Sequence, residues 1–171
     1  MRARDTFVNV TYDFEEEIKG QDAVLFTGGE EFLDRIKRDA AICREHGIKT
    51  IIGGMLATFR TKEMSEIIDS VVVGEGELVA QKALESSGII WGARPDLSSL
   101  PYPDHDGFGI AEYQRRHPIR YIDVMTSRGC PFSCTFCTQI CRYQCRNLDD
   151  VFTEIDHYKA TYGIELLVIN D

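Results

Sequence analysis

No apolar run in this chain approaches the roughly 20 residues that cross a membrane as a helix. The N-terminal stretch MRARDTFVNV lacks the apolar segment of a secretory signal. Both absences predict a cytoplasmic protein with no membrane span. Basic charge is short: 19 Lys and Arg stand against 28 Asp and Glu, a net charge of −9. That balance argues against a nucleic-acid partner reached through bulk charge. No internal repeat or low-complexity segment is visible. Cysteine is scarce before residue 130, where Cys43 stands alone; the other five of six fall between 130 and 145. A disulfide framework spreads its cysteines to staple distant loops, so this clustering favours metal binding in a reducing compartment. What is present is ordinary for a soluble globular chain. There are 171 residues, 43% hydrophobic and 27% charged, enough for one sizeable core or two small ones.

The first ninety residues alternate between strand and helix patterns. TFVNVTY (6–12) reads as a strand, and DAVLFTGG (22–29) as an apolar strand running into a glycine turn. Phe32, Ile36, Ala40 and Cys43 share one face of a helix over 31–46, closed by Gly47. On that helix Cys43 reads as a small core residue, and His46 sits by the last carbonyls. IKTIIGG (48–54) is the next strand, TKEMSEII (61–68) a short helix, SVVVGEGE (70–77) a strand and turn, and ELVAQKALESSG (77–88) a helix. The strands are continuously apolar, as expected when both sheet faces are covered. The alternation predicts a doubly wound α/β sheet.

Residues 93–118 hold four of the five prolines and show no clear period, so they read as a linker. A strand over 119–127 (IRYIDVMTS) follows. Asn147 is the expected N-cap of a helix with Val151, Ile155, Tyr158 and Tyr162 on one stripe, and GIELLVIND (163–171) is a last strand.

Two features carry chemistry. Three strands end in glycine turns: Gly28-Gly29, Gly53-Gly54 and Gly74-Glu75-Gly76. Ligands of open α/β sheets bind beyond such strand ends, where glycine lets a backbone approach closely; glycine also simply closes tight turns. The second feature is RGCPFSCTFC (128–137), with Cys130, Cys134 and Cys137 in a C-x3-C-x2-C pattern between a strand and a helix. Three thiolates suit a [4Fe–4S] cluster whose fourth iron stays open to a small molecule. Their sulfurs are expected to converge at the end of strand 119–127. Cys141 and Cys145, four apart, would face one way on a helical turn and read as bystanders. Arg128 and Arg146 flank the loop, either offsetting thiolate charge or merely solvated.

With the aromatic Phe136 before its third cysteine, this motif resembles the CxxxCxφC signature of radical S-adenosylmethionine enzymes. TSRGCPFSCTFC looks like the form common in their cobalamin-associated branch. RNLDDVFTEIDHYKATYGIELLVIND, IIGGMLATF, VVVGEGE and LSSLPYPDHDGF are similar to segments of that branch as well. The resemblance implies an incomplete doubly wound, cobalamin-binding-like sheet over 1–93, a linker over 94–118, and the first β-α-β of a partial (β/α)6 radical SAM barrel over 119–171. It implies a fragment, incomplete at its N-terminus and truncated at its C-terminus. Implied cofactors are the [4Fe–4S] cluster on Cys130, Cys134 and Cys137, S-adenosyl-L-methionine beside Phe136, and cobalamin near Thr27, Gly53, Gly54, Gly74 and Glu75. The cobalt-ligating DxHxxG motif of many cobalamin proteins is absent. Implied partners are a small-molecule substrate and an electron donor such as flavodoxin or ferredoxin. The implied chemistry is radical C–H activation, with methyl transfer or oxidative cyclisation as its outcome. Two alternatives stand beside it: a zinc-binding interaction module using Cys141 or Cys145 as fourth ligand, and a methylthiotransferase acting on transfer RNA.

Overall fold

The computed structural model describes residues 13–107, 109–116, 119–139 and 141–170. The strand expected over 6–12 lies outside them. The described chain forms two compact units, one running up to Pro95 and taking in the segment that begins at Phe136, the other built from Asp96–Thr135 and from Cys141 onward.

The first unit begins with a one-turn helix, α1 (Phe14–Glu17), whose first amides are capped by the Asp13 carboxylate. Strand β1 (Ala23–Phe26) leads through a 3-10 turn at Glu30–Phe32 into α2 (Leu33–Glu45). Next come β2 (Lys49–Ile52), α3 (Gly54–Phe59), α4 (Thr61–Ser65), β3 (Ser70–Val73), α5 (Ala80–Glu85) and β4 (Gly88–Trp91). The four strands are parallel in the order β1-β2-β3-β4, with Ala23 opposite Lys49 and Ser70 opposite Gly88. Parallel pairing forces each connection to cross over the sheet, and the helices fill those crossovers.

Side chains alternate across the pleat. Ile52, Val71 and Val73 meet Ile36 and Ala40 of α2 and Leu56 and Met64 of α3 and α4. Ile51, Val72 and Ile90 face the other way, onto Ala83 of α5. Both faces of the sheet are thus covered, which is why β2 and β3 show no polar alternation. Cys43 is fully buried, and burial, then the charge of Asp39, pushes its thiol up to about 11. Phe32, expected on the buried face of α2, is instead exposed, because the 3-10 turn rotates it off the helix stripe. His46, at the C-cap of α2, spends its Nε2 on the Glu15 carboxylate at 3.0 Å.

In the second unit a 3-10 turn (Leu97–Ser99) and α6 (Ile110–Arg116) precede β5 (Tyr121–Met125). Then follow β6 (Ser127–Arg128), β7 (Gln144–Cys145), α7 (Leu148–Tyr162) and β8 (Leu166–Asn170). β5 pairs in parallel with β8, from Tyr121 opposite Leu166 to Met125 opposite Asn170. α7 makes the crossover and lays Val151 and Tyr158 on Ile122 and Val124. The Asn147 side chain accepts the Asp149 amide and starts the helix, as its residue type predicts. Among the described residues no helix is long and apolar enough to cross a membrane.

A cysteine loop and a cavity under the glycine turns

The chain leaves β5, makes the two residues of β6, and returns as β7. Ser127 pairs with Cys145 and Arg128 with Gln144, antiparallel, so the loop carrying the C-x3-C-x2-C motif is pinched at its root. A further bridge joins Cys130 to Arg142. Gly129 makes this closure feasible. Its φ is +82°, and a Cβ there would stand 2.6 Å from the Arg142 carbonyl and the Cys141 oxygen. Only a residue without a side chain lets the two stems cross so closely.

Cys130, Cys134 and Cys137 are all exposed on this one loop, and no cysteine of the described residues is in a disulfide. Phe132 and Phe136 stand out beside them, Phe136 at 87% exposure. Among the described residues no three Cys, His, Asp or Glu side chains gather into a group that could hold a metal ion. The loop carries the three thiols on one short irregular segment, and a bound metal is what would gather such donors. Three soft donors with no carboxylate or imidazole among them suit a thiophilic centre, zinc or an iron–sulfur cluster. Cys145 does not sit on a helical turn with Cys141. It lies in β7, and its thiol donates to the Tyr143 hydroxyl at 3.0 Å.

Arg146, undecided between two roles from sequence, is committed to carboxylates. Its Nη2 donates to Asp150 Oδ2 at 2.6 Å, and its Nη1 donates to Glu154 Oε2 and to the Met125 carbonyl. Glu154 accepts a further bond from the Tyr158 hydroxyl at 2.7 Å. Burial pulls the Arg146 guanidinium down, but the bonds from Glu154 and Asp150 outweigh it and hold it above its ordinary value. Burial, then the bond to Glu154, drives the Tyr158 hydroxyl up, so it stays a donor. Asp150 and Glu154 were not singled out as partners from sequence. The signal was there: Arg146, Asp150, Glu154 and Tyr158 repeat every four residues, one helical face.

In the other unit, a cavity of about 460 Å³ opens at the C-terminal ends of the strands. Thr27, Gly53 and Gly54 line one side, and Gly76, Glu77 and Ala80 the other, with Leu25, Ile51 and Val72 as its floor. Of the five residues expected to form a ligand surface, Thr27, Gly53 and Gly54 meet here; Gly74 and Glu75 do not line the cavity. Gly54 has φ +80°, and a Cβ on it would lie 2.8 Å from Thr27 Oγ1. Thr58 was missed from sequence. Its hydroxyl accepts the Gly74 amide at 3.1 Å and donates to the Gly54 carbonyl at 2.9 Å, tying the second turn to the third.

No family model and no solved structure matches the chain. Curated proteins do. The chain is 29% identical over 143 residues to an uncharacterized methyltransferase of Synechocystis sp., covering 79% of this chain and 26% of that protein. It is 29% identical over 144 residues to an uncharacterized methyltransferase of Pyrococcus horikoshii, covering 67% and 31%. It is 29% identical over 153 residues to a putative methylthiotransferase of Methanocaldococcus jannaschii, covering 75% and 31%. The chain therefore spans about a quarter to a third of the length of these relatives.

Proposed function

We propose that this chain is part of a radical S-adenosylmethionine enzyme that transfers a methyl group to a small-molecule substrate. The observation that carries the reading is the run of three exposed thiols, Cys130, Cys134 and Cys137, on one loop between β5 and α7. Relatives named as methyltransferases support it.

Cys130, Cys134 and Cys137 would hold a [4Fe–4S] cluster. Such a cluster would supply the electron for reductive cleavage of one S-adenosylmethionine and so the C–H activation of the substrate, while the methyl group would come from a second S-adenosylmethionine by way of cobalamin. The chain's own residues do the rest. Exposed Phe136 offers an apolar face beside the third thiol for S-adenosylmethionine. The β6–β7 pinch and Gly129 hold the loop's stems against each other. The exposed loop leaves the cysteines open to an electron donor such as a flavodoxin or ferredoxin, and a reducing cytoplasm keeps them as thiols.

The cavity under the glycine turns fits part of a cobalamin. Its floor of Leu25, Ile51 and Val72 suits a flat apolar group such as the base of the nucleotide tail. Thr27 Oγ1 and the Gly53 and Gly54 backbone would orient it at the rim. The sheet unit then reads as a cobalamin-binding-like domain, and β5-α7-β8 as the start of a partial (β/α)6 barrel. A second reading rests on the relative named a putative methylthiotransferase: the same loop would serve transfer of a methylthio group.

Anaerobic reconstitution with iron and sulfide tests the cluster. The wild-type chain should gain the broad visible absorption of an iron–sulfur cluster, and Cys134→Ala should lose it. Zinc without sulfide in the purified protein would instead mean a structural zinc module. Titration with hydroxocobalamin, followed by absorbance, tests the cavity separately.

A further inference from the structure

One residue on the downstream side of the cysteine loop grips two consecutive carbonyls on its upstream side. The Arg146 amide donates to the Thr126 carbonyl at 2.9 Å, and the Arg146 guanidinium donates to the Met125 carbonyl at 2.9 Å. Its remaining donors go to Asp150 and Glu154 of α7, and its side chain is only 10% exposed. Strand end, loop stem and helix thus meet on a single guanidinium. A buried ion pair of this kind adds little net stability, because the desolvation of both charges offsets their attraction. What a planar fork with five donors does supply is geometry.

We propose that Arg146 is a positioning residue: it fixes both stems of the Cys130–Cys137 loop to the end of β5, so that a metal cluster gathers the thiols on a loop with a fixed base. This rests on reading those cysteines as ligands. Asp150 and Glu154 aim the fork, and Tyr158, fully buried, aims Glu154. A lysine would keep the charge but not the fork, and could not serve Met125, Asp150 and Glu154 together.

The test compares the full wild-type chain with Arg146→Lys, Arg146→Met and Glu154→Gln. Arg120→Lys is the control, since Arg120 pairs with Glu165 at the other end of β5 and both are solvated. Hydrogen exchange read by mass spectrometry reports the loop stems in the metal-free protein. Iron retained after anaerobic loading with ferrous iron and sulfide reports the ligand set. In Arg146→Lys the amides of 127–130 and 141–146 should exchange roughly tenfold faster, the loss of about one charge-assisted hydrogen bond. The amides of β5 and α7 should stay at the wild-type rate, and retained iron should fall. Arg120→Lys should change neither readout. Stem amides that exchange at the wild-type rate would overturn the proposal. So would acceleration spread equally over β5 and α7, because Arg146 would then be a general structural ion pair. If Arg146→Met does not fold, the lysine and glutamine variants still give the comparison. If the wild-type chain itself retains no iron, the ligand reading falls, while stem exchange still decides the clamp.

Discussion

His105 stands edge-on to Tyr158, ring centroids 4.8 Å apart, and its Nε2 is buried without a hydrogen-bond partner among the described residues. Burial holds the ring below its ordinary 6.5, against the opposing pull of Glu154, Asp104, Asp123 and Asp106. A histidine depressed in the fold takes up its proton more readily when unfolded. Its contribution is therefore complete above 6.5 and is lost as pH falls through the lower folded value. Replacing His105 by Phe keeps the aromatic edge and removes the proton. The melting temperature of His105→Phe should fall less than that of wild type as the medium is acidified below pH 6.5. Glu63, Glu112 and Glu165 are held below their usual 4.5, so their losses come at lower pH and are common to both proteins. Parallel melting curves across that range would show that His105 is solvated well enough to titrate freely. Nothing about its role was legible in the sequence, where it is one of four scattered histidines.

Strand position sets what an isoleucine contributes. Ile52 in β2 is fully buried against α2 and α3, whereas Ile89 in β4 is 45% exposed on the edge of the same sheet. Ile52→Ala should cost about 2–5 kcal/mol in urea unfolding, through lost transfer energy and the cavity left behind. Ile89→Ala should cost under about 1 kcal/mol, since much of that side chain stays in water. Equal costs would contradict the two-face core. The same contrast explains which elements could be read in advance. β1, β2 and β3 are apolar runs bounded by glycine, and α2 and α7 are long enough for a stripe and a cap to show. The linker reading concealed α6, a two-turn helix among prolines with too few apolar positions to set a period. β4 went unread because Gly88, its first residue, looked like the terminator of the preceding helix, and the three residues after it are too short an apolar run to mark a strand. β6 and β7 have two residues each, and nothing local marks a pair that short. The cysteine spacing was legible because ligand chemistry is local in sequence. The grip of Arg146 on Met125 was not, because it joins residues 21 apart.

Charge acts on the whole molecule, and it bears on the transfer-RNA alternative. Binding RNA through phosphates releases counterions in proportion to the Lys and Arg contacts made, so it needs cations free to make them. Here 28 acidic residues outnumber 19 basic ones, and the structure has already engaged many of the latter. Arg60 bonds Glu30 and Glu63, Arg116 bonds Glu112, Arg120 bonds Glu165, and Arg146 bonds Asp150 and Glu154. Each phosphate contact by one of these would first have to break a pair with a carboxylate, and that carboxylate would then repel the RNA. Exposed pairs are individually weak, about 0–1 kcal/mol, so the repulsion of the freed carboxylates matters more than the bond itself. The expected outcome is that fluorescently labelled transfer RNA shows no saturable anisotropy change with this chain at roughly physiological salt, where the screening length is about 8 Å. Lowering the salt should not rescue binding, because long-range attraction has the wrong sign. Saturable binding that weakens steeply with salt would mean that a local basic surface overrides the net charge, and would favour the methylthiotransferase reading for this part of the protein.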